Sequence, residues 1–185
     1  MKKIENTPSQ ALALAQAIID SGVEPVFDLD GVLLDATHRQ SIYTADHVAL
    51  GICNEDQIGQ LDLDAYRAHT TAEKVNQDKN LPLMAVIDKL NQLDVKYHVA
   101  TARVITRCPH SSKLLKDRGI KPASIMCRDG EHDKRRDSHL KQTKLVAKFS
   151  DRQRANMVLI DDSLGNCKAA MQIGMKAIHV PFRGF

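Results

Sequence analysis

The chain has 185 residues, of which 43% are hydrophobic and 26% charged, so its length and composition indicate one folded domain with a small insertion and exclude a disordered chain. No apolar run approaches the roughly eighteen residues that span a bilayer, which excludes a membrane partner. The net charge is only +3 and tryptophan is absent, so we expect a mainly aliphatic core.

The N-terminal part, residues 1–24, is predicted to be a helix. Thr7 and Pro8 have the spacing of a helix N-cap and first helical position, and Gly22 follows the expected end. A short buried strand is predicted at residues 26–29. The chain from about residue 31 to 81 is polar and mixed, and we interpret it as a small cap insertion within a domain of residues 25–185.

Helices and strands alternate in the rest of the sequence. Helices are predicted at residues 81–93, 111–118, 138–149 and 165–173, and strands at 95–101, 124–127, 157–160 and 176–180. Repeated β-α-β spacing predicts an α/β fold in three layers, with a central parallel sheet between two layers of helices.

Reactive side chains stand where three of the predicted strands end. The carboxyl ends of parallel strands meet at one edge of a sheet, where ligands bind. Four carboxylates gathered there would repel one another, and a hard cation with oxygen ligands such as Mg²⁺ relieves that repulsion. The sequence therefore predicts a phosphoryl-transfer site built from Asp28, Asp30, Thr101, Arg103, Asp161 and Asp162.

The residues 101–156 contain 15 Lys or Arg against 6 Asp or Glu. This basic excess favours a phosphorylated or polyanionic substrate, although solvated helix faces explain it equally well. The four cysteines, Cys53, Cys108, Cys127 and Cys167, form no CxxC pair and are expected to be free thiols of a cytoplasmic protein.

The motif DLDGVL at residues 28–33, Thr101, Lys141 and the motif IDDS at residues 160–163 occur in the order found in haloacid dehalogenase-like (HAD) phosphatases, which the sequence resembles. The resemblance implies a HAD-like Rossmannoid fold with Asp28 as the nucleophile that forms an aspartyl-phosphate. It also implies that Asp30 is the acid and base. Thr101 and Lys141 would contact the phosphoryl group and its charge, and Mg²⁺ would be held by Asp28, Asp30, Asp161 and Asp162.

The spacing of further charged residues resembles that in the 3′-phosphatase domains of bacteriophage polynucleotide kinases. The chain has a DxRxDxxxK pattern over residues 133–141, an Arg39 eleven residues after Asp28, and Arg103 after a strand end. This resemblance implies that Arg39, Arg103 and Arg135 contact substrate, while Asp137 positions Lys141 or the metal shell. Surface positions for Arg39 and Arg135, and a helix N-cap role for Asp137, remain open alternatives.

The expected function is Mg²⁺-dependent hydrolysis of a phosphomonoester, with a 3′-phosphate on a nucleic-acid or nucleotide end as the first choice of substrate. A 5′-nucleotidase or small-metabolite phosphatase is the alternative, because the same chemistry serves it. A non-catalytic module that binds phosphorylated ends is a third hypothesis. The chain contains no GxxxxGK[ST] motif, so no kinase activity is expected.

Overall fold

The structure of the chain, a computed structural model, describes residues 1–38, 76–104, 108–129, 133 and 135–182. Strands occupy Lys2–Lys3 (β1), Glu24–Phe27 (β2), Leu34–Asp35 (β3), Lys79–Asn80 (β4), His98–Val104 (β5), Ser124–Arg128 (β6), Met157–Asp161 (β7) and Lys176–His179 (β8). Helices occupy Pro8–Ser21 (α1), Met84–Gln92 (α2), Cys108–Asp117 (α3), Asp137–Lys148 (α4), Asp151–Ala155 (α5) and Leu164–Gln172 (α6).

Six of these strands form one sheet in the order β1-β8-β7-β2-β5-β6, and every neighbouring pair is parallel. The central strand β2 pairs with β7 on one side and β5 on the other. Parallel strands need crossover connections, and the helices between them provide these. The predicted parallel α/β architecture is confirmed.

Alternate residues of the sheet point into two separate apolar cores. Phe27 and Ile160 belong to the core that α1 and α2 cover, whereas Val26 and Leu159 belong to the core that α4 and α6 cover. Strand side chains point to opposite faces with a period of two residues, so a strand buried on both faces reads as a continuous apolar run. The sheet is therefore the middle of three layers.

The ends of the predicted insertion belong to the core. Strands β3 and β4 pair antiparallel, with Leu34 opposite Asn80 and Asp35 opposite Lys79. Val32, Leu33 and Leu34 are fully buried. The middle of the predicted insertion lies outside the described residues, and Arg39 with it.

Local capping explains how the first helix begins and ends. The Thr7 hydroxyl accepts a hydrogen bond from the backbone N–H of Gln10 at 3.4 Å, and Gly22 ends the helix with φ of 62°. Both were predicted. The short helix α5 was not predicted, although Ser150 and Gln153 form the capping box that marks its start. The two-residue strand β1 also carries no strand pattern in the sequence.

None of the described helices is long and apolar enough to cross a membrane. The expectation of free thiols is wrong for Cys127, which is disulfide-bonded. Cys167 is free and buried, as expected.

Candidate active site

The carboxyl ends of β2, β5 and β7 bring predicted catalytic residues to one edge of the sheet. Asp28 directly follows β2, and its backbone N–H donates to the Ile160 carbonyl at 2.9 Å. Asp161 is the last residue of β7, and Thr101 lies on β5. All three are buried. The prediction that these strand ends converge is confirmed.

A buried lysine joins two of the carboxylates. Lys141, in α4, places its Nζ 2.8 Å from Asp28 Oδ2 and 2.7 Å from Asp161 Oδ2. Burial alone would lower the pKa of Lys141, but the charges of Asp161 and Asp28 raise it above its usual value. Lys141 is therefore a fixed positive charge directly beside Asp28.

The orientation of Asp161 is fixed by groups from the start of α6. Its Oδ1 accepts hydrogen bonds from the Ser163 backbone N–H and from Asn166 Nδ2, each at 2.9 Å. Asn166 is itself buried. The sequence analysis did not identify Asn166, although its place five residues after a strand-end aspartate and one turn into a helix was a usable signal.

Three carboxylates form a cluster that fits a divalent cation. Asp28, Asp161 and Asp162 each offer one oxygen, and these oxygens lie within 4.8 Å of one another. Burial and the negative charge of Asp161 raise the pKa of Asp162 to about 6. Burial likewise raises the pKa of Asp28, and Asp161 and Asp162 add to the rise while Lys141 opposes it. An all-oxygen set under mutual repulsion is the donor chemistry that Mg²⁺ prefers.

The glycine of the DxDG motif is required by this packing. Gly31 has φ of +77°, and a Cβ built on it would lie 2.4 Å from Oδ2 of Asp162. Only glycine adopts this backbone conformation easily and also leaves that space free. The turn after β2 thus approaches the Asp162 carboxylate as closely as a backbone can.

Asp30 is held by a buried arginine. Arg103 Nη2 donates to Asp30 Oδ1 at 2.8 Å, and Arg103 Nε donates to Asp30 Oδ2 at 3.2 Å. The same Nη2 donates to Asp78 Oδ2 at 2.7 Å. Burial lowers the pKa of Arg103, but Asp30 and Asp78 more than offset that effect and raise it. The backbone N–H of Arg103 also donates to the Thr101 hydroxyl at 3.2 Å.

Two more residues that were predicted to serve substrate binding, Arg135 and Asp137, belong to a second network of ion pairs around the start of α4. Asp137 is the first residue of α4 and accepts a hydrogen bond from Arg128, so the N-cap alternative for Asp137 is wrong. Arg135 forms a two-point ion pair with Asp133, with N–O distances of 2.8 Å and 2.6 Å. Arg135 is partly exposed and lies on the loop before α4.

Arg128 was missed by the sequence analysis. Its side chain is 1% exposed and donates to the carbonyls of Ala102, Asp133 and Arg135. Ala102 lies between Thr101 and Arg103 on β5. The Arg128 guanidinium therefore links β5 by hydrogen bonds to the loop that leads into α4 and Lys141. No motif identifies this residue, because three of its partners are backbone oxygens and the fold brings these together with the Asp137 carboxylate.

Comparison with known proteins agrees with this geometry. A family model described as bacteriophage T5 5′-deoxynucleotidase matches residues 19–181. No curated protein matches the sequence. A chain of the Pnkp1/Rnl/Hen1 complex has a TM-score of 0.59 at 17% identity, and the match covers 86% of this chain and 46% of that one. This chain therefore spans about half the length of that structural relative.

Two further solved structures match over most of both chains. A haloacid dehalogenase-like family hydrolase from Streptococcus pneumoniae has a TM-score of 0.59 at 17% identity, covering 86% of this chain and 85% of that one. CbbY from Rhodobacter sphaeroides, in complex with phosphate, has a TM-score of 0.58 at 17% identity, with 88% of each chain covered. The predicted HAD-like fold is confirmed. The chain shares the fold of HAD-like hydrolases, and with its family match over residues 19–181 it belongs to the bacteriophage T5 5′-deoxynucleotidase family.

Proposed function

We propose that the protein is a Mg²⁺-dependent phosphomonoesterase that releases phosphate from deoxynucleoside 5′-monophosphates through an aspartyl-phosphate. The observation that carries this proposal is the position of Lys141 Nζ, 2.8 Å from Asp28 and 2.7 Å from Asp161 in a buried cluster. A carboxylate attacks an anionic phosphate only where positive charge screens the approach, and Lys141 supplies such charge beside Asp28.

The first step forms a bond between a carboxylate oxygen of Asp28 and phosphorus and breaks the bond from phosphorus to the ester oxygen. The leaving oxygen takes the proton of the Asp30 carboxyl and departs as an alcohol. Lys141 stays beside the Asp28 carboxyl, and the Thr101 hydroxyl donates to a phosphoryl oxygen. These groups are already placed before substrate binds, which spares reorganisation in the transition state.

The second step releases phosphate. Asp30, now a carboxylate, takes a proton from water, and the water oxygen attacks phosphorus and displaces Asp28. Asp28, Asp161 and Asp162 would hold Mg²⁺, and the bound ion would supply positive charge to the phosphoryl oxygens. The Asp30 carboxylate, predicted as a further ligand, pairs with Arg103 and lies outside the cluster of three carboxylates. Asp28 attacks as a carboxylate. Its pKa is raised by burial and by Asp161 and Asp162, so we expect activity to depend on the cationic partners that keep it ionised.

The family match favours a 5′-deoxynucleotide over a polymer end as substrate, because the matching family is described as a 5′-deoxynucleotidase. This was the alternative in the sequence analysis. A nucleic-acid 3′-phosphate stays a second candidate. It is supported by the fold shared with a chain of the Pnkp1/Rnl/Hen1 complex and by the basic excess of residues 101–156. Arg39, Arg103, Arg135 and Asp137 are proposed to serve substrate binding directly or through their neighbours.

Phosphate release from a substrate panel tests the proposal. The panel contains the four deoxynucleoside 5′-monophosphates, their 3′ isomers and a 3′-phosphorylated oligodeoxynucleotide, each with Mg²⁺ and with EDTA. We expect hydrolysis of the 5′-monophosphates that EDTA abolishes. Asp28→Asn, purified in parallel, controls for contaminating phosphatases. Release from the oligonucleotide alone would replace the first candidate with the second, and binding of these compounds without any release would favour the non-catalytic module.

A further inference from the structure

A buried carboxylate outside the predicted catalytic set contacts the arginine that holds Asp30. Arg103 Nη2 lies 2.7 Å from Asp78 Oδ2 and 2.8 Å from Asp30 Oδ1. The Asp78 side chain is fully buried and that of Arg103 is 4% exposed. A guanidinium is planar, so a second carboxylate on the same nitrogen fixes the plane in which the first one is bound.

The backbone connects Asp78 to the turn that carries Asp30. Asp78 directly precedes β4, which pairs with β3. Leu34 of β3 accepts a hydrogen bond from the Gly31 N–H at 2.8 Å and forms a β-bridge with Asp30. The two carboxylates and the arginine are therefore fixed relative to one another by the hairpin as well as by their side chains.

We infer that Asp78 is a positioning residue for protonation of the leaving group. It fixes the orientation of Arg103, and Arg103 holds the carboxyl of Asp30 where it reaches the leaving oxygen. This inference rests on the proposed role of Asp30. A displaced Asp30 would affect protonation of the leaving oxygen in the first step and activation of water in the second, and the test below isolates the first step. The cluster of Asp28, Lys141 and Asp161 is held by its own contacts from β2, α4 and β7.

The dependence of turnover on the leaving group tests the inference. A deoxynucleoside leaves as an alcohol and needs a proton, whereas p-nitrophenolate is a stable anion that leaves without one. We expect Asp78→Asn to lower kcat/KM on a deoxynucleoside 5′-monophosphate about 10- to 100-fold, and to change kcat/KM on p-nitrophenyl phosphate less than about threefold. The comparison uses kcat/KM because this constant covers only the steps up to departure of the leaving group, whereas kcat also includes the attack of water that Asp30 assists with both substrates. An equal loss of kcat/KM on both substrates would show a merely structural role, and an unchanged kcat/KM on the nucleotide would also overturn the inference.

Matched variants sharpen this comparison. Asp35→Asn makes the same change on the neighbouring strand β3 and should leave both rates unchanged. Arg103→Lys should show the same selective loss as Asp78→Asn, and the double variant should be no worse than Arg103→Lys alone, because both residues act through one contact. Additive losses in the double variant would contradict the inference. If Asp78→Asn does not fold, Asp78→Glu displaces the carboxylate by one methylene and is judged by the same ratio.

The wild-type rates separate this inference from the proposed function. Wild-type turnover of p-nitrophenyl phosphate without turnover of any deoxynucleotide would contradict the proposed substrate. The effect of Asp78→Asn would then be compared between p-nitrophenyl phosphate and an alkyl phosphate that the wild type hydrolyses. The role of Asp78 would be judged on the ratio of these two effects.

Discussion

The ammonium of Lys141 and the carboxylate of Asp161 form an ion pair of 2.7 Å within the protein, with side chains 3% and 0% exposed. Asp28 lies on the other side of the same ammonium, at 2.8 Å. Removing two charges from water is costly, and only close mutual contacts offset that cost. Lys141 is thus essential both to the chemistry we propose and to the folding of the site.

Replacement of Lys141 by methionine should destabilise the protein and abolish turnover. It leaves Asp28 and Asp161 buried without their shared cation, and loss of one partner from a buried pair costs about 3 kcal/mol or more. Urea unfolding at neutral pH measures this loss. Lys144→Met is the control, because Lys144 lies on the same helix as Lys141 but pairs with the exposed Asp129. An exposed pair contributes much less to stability than a buried one, so equal losses in the two variants would contradict the prediction.

Gly31→Ala should abolish the proposed phosphate release by displacing Asp162. The new methyl would lie 2.4 Å from Oδ2 of Asp162, and φ of +77° adds strain of about 1 kcal/mol. Gly174→Ala provides a close control, since Gly174 has φ of +83° with nothing within 4 Å of the added Cβ. We expect Gly31→Ala to lose at least as much stability as Gly174→Ala in thermal unfolding, because it adds the clash to the strain, while only Gly31→Ala loses phosphate release. Retained phosphate release in Gly31→Ala would show that the position of Asp162 is not needed for the reaction.

The sequence was sufficient to place Asp28, Thr101 and Asp161 together because their positions follow from topology. Asp28 and Asp161 stand at or next to the end of an apolar strand, and parallel strands with helical crossovers bring such ends to one edge. Thr101 was predicted at the end of its strand, but β5 continues three residues beyond it to Val104. Lys141 was located through the resemblance to HAD-like phosphatases, and its distance to Asp28 required the fold. Strand boundaries were predicted within a few residues for the same reason: apolar runs and glycines are local signals.

The residues that the sequence analysis missed act through contacts that leave no local pattern. Arg128 binds carbonyls of Ala102, Asp133 and Arg135, and any residue type offers a carbonyl. Asp78 lies in the polar stretch that was interpreted as an insertion, yet it is buried against Arg103. Arg103 was expected to contact substrate, and the structure shows it holding Asp30 and Asp78. A pairing partner 73 residues away in sequence is not predictable from spacing.

Asn166→Ala should weaken the response to Mg²⁺ more than it weakens folding. Asn166 Nδ2 donates to Asp161 Oδ1 at 2.9 Å and holds the carboxylate in place. Groups that orient a metal-binding carboxylate typically contribute 10- to 100-fold to metal affinity. We expect the Mg²⁺ concentration for half-maximal activity to rise about tenfold. Ser163→Ala keeps the backbone N–H that binds Asp161, so its Mg²⁺ dependence should stay that of the wild type. An unchanged Mg²⁺ requirement in Asn166→Ala would argue against Asp161 as a ligand.

His98 should make the stability of the protein depend on pH below neutrality. The ring is buried, with Nδ1 2.7 Å from Ser124 Oγ and Nε2 2.7 Å from Glu24 Oε1. Burial lowers the pKa of His98 in the folded protein, although Glu24 partly opposes that effect. The unfolded chain, with a histidine pKa of about 6.5, therefore binds the proton more readily. The free energy of unfolding should be greatest above that pH and should fall as the pH drops through 6.5 toward the lower folded pKa.

Urea unfolding of the wild type and of His98→Asn at pH 7.5 and pH 5.5 measures this contribution. We expect the variant to be less stable at the higher pH, where it lacks the two hydrogen bonds, and to lose less stability than the wild type on acidification. Glu24 adds a separate effect at lower pH. Its pKa is lowered by Lys96 and His98 against the opposing effect of burial, so its stabilisation is lost only as the pH falls below the usual carboxyl range. His139→Asn, on the exposed side of α4, should keep the wild-type difference between the two pH values. An identical difference in His98→Asn and the wild type would show that His98 binds its proton equally well in the folded and the unfolded protein, and it would contradict the prediction.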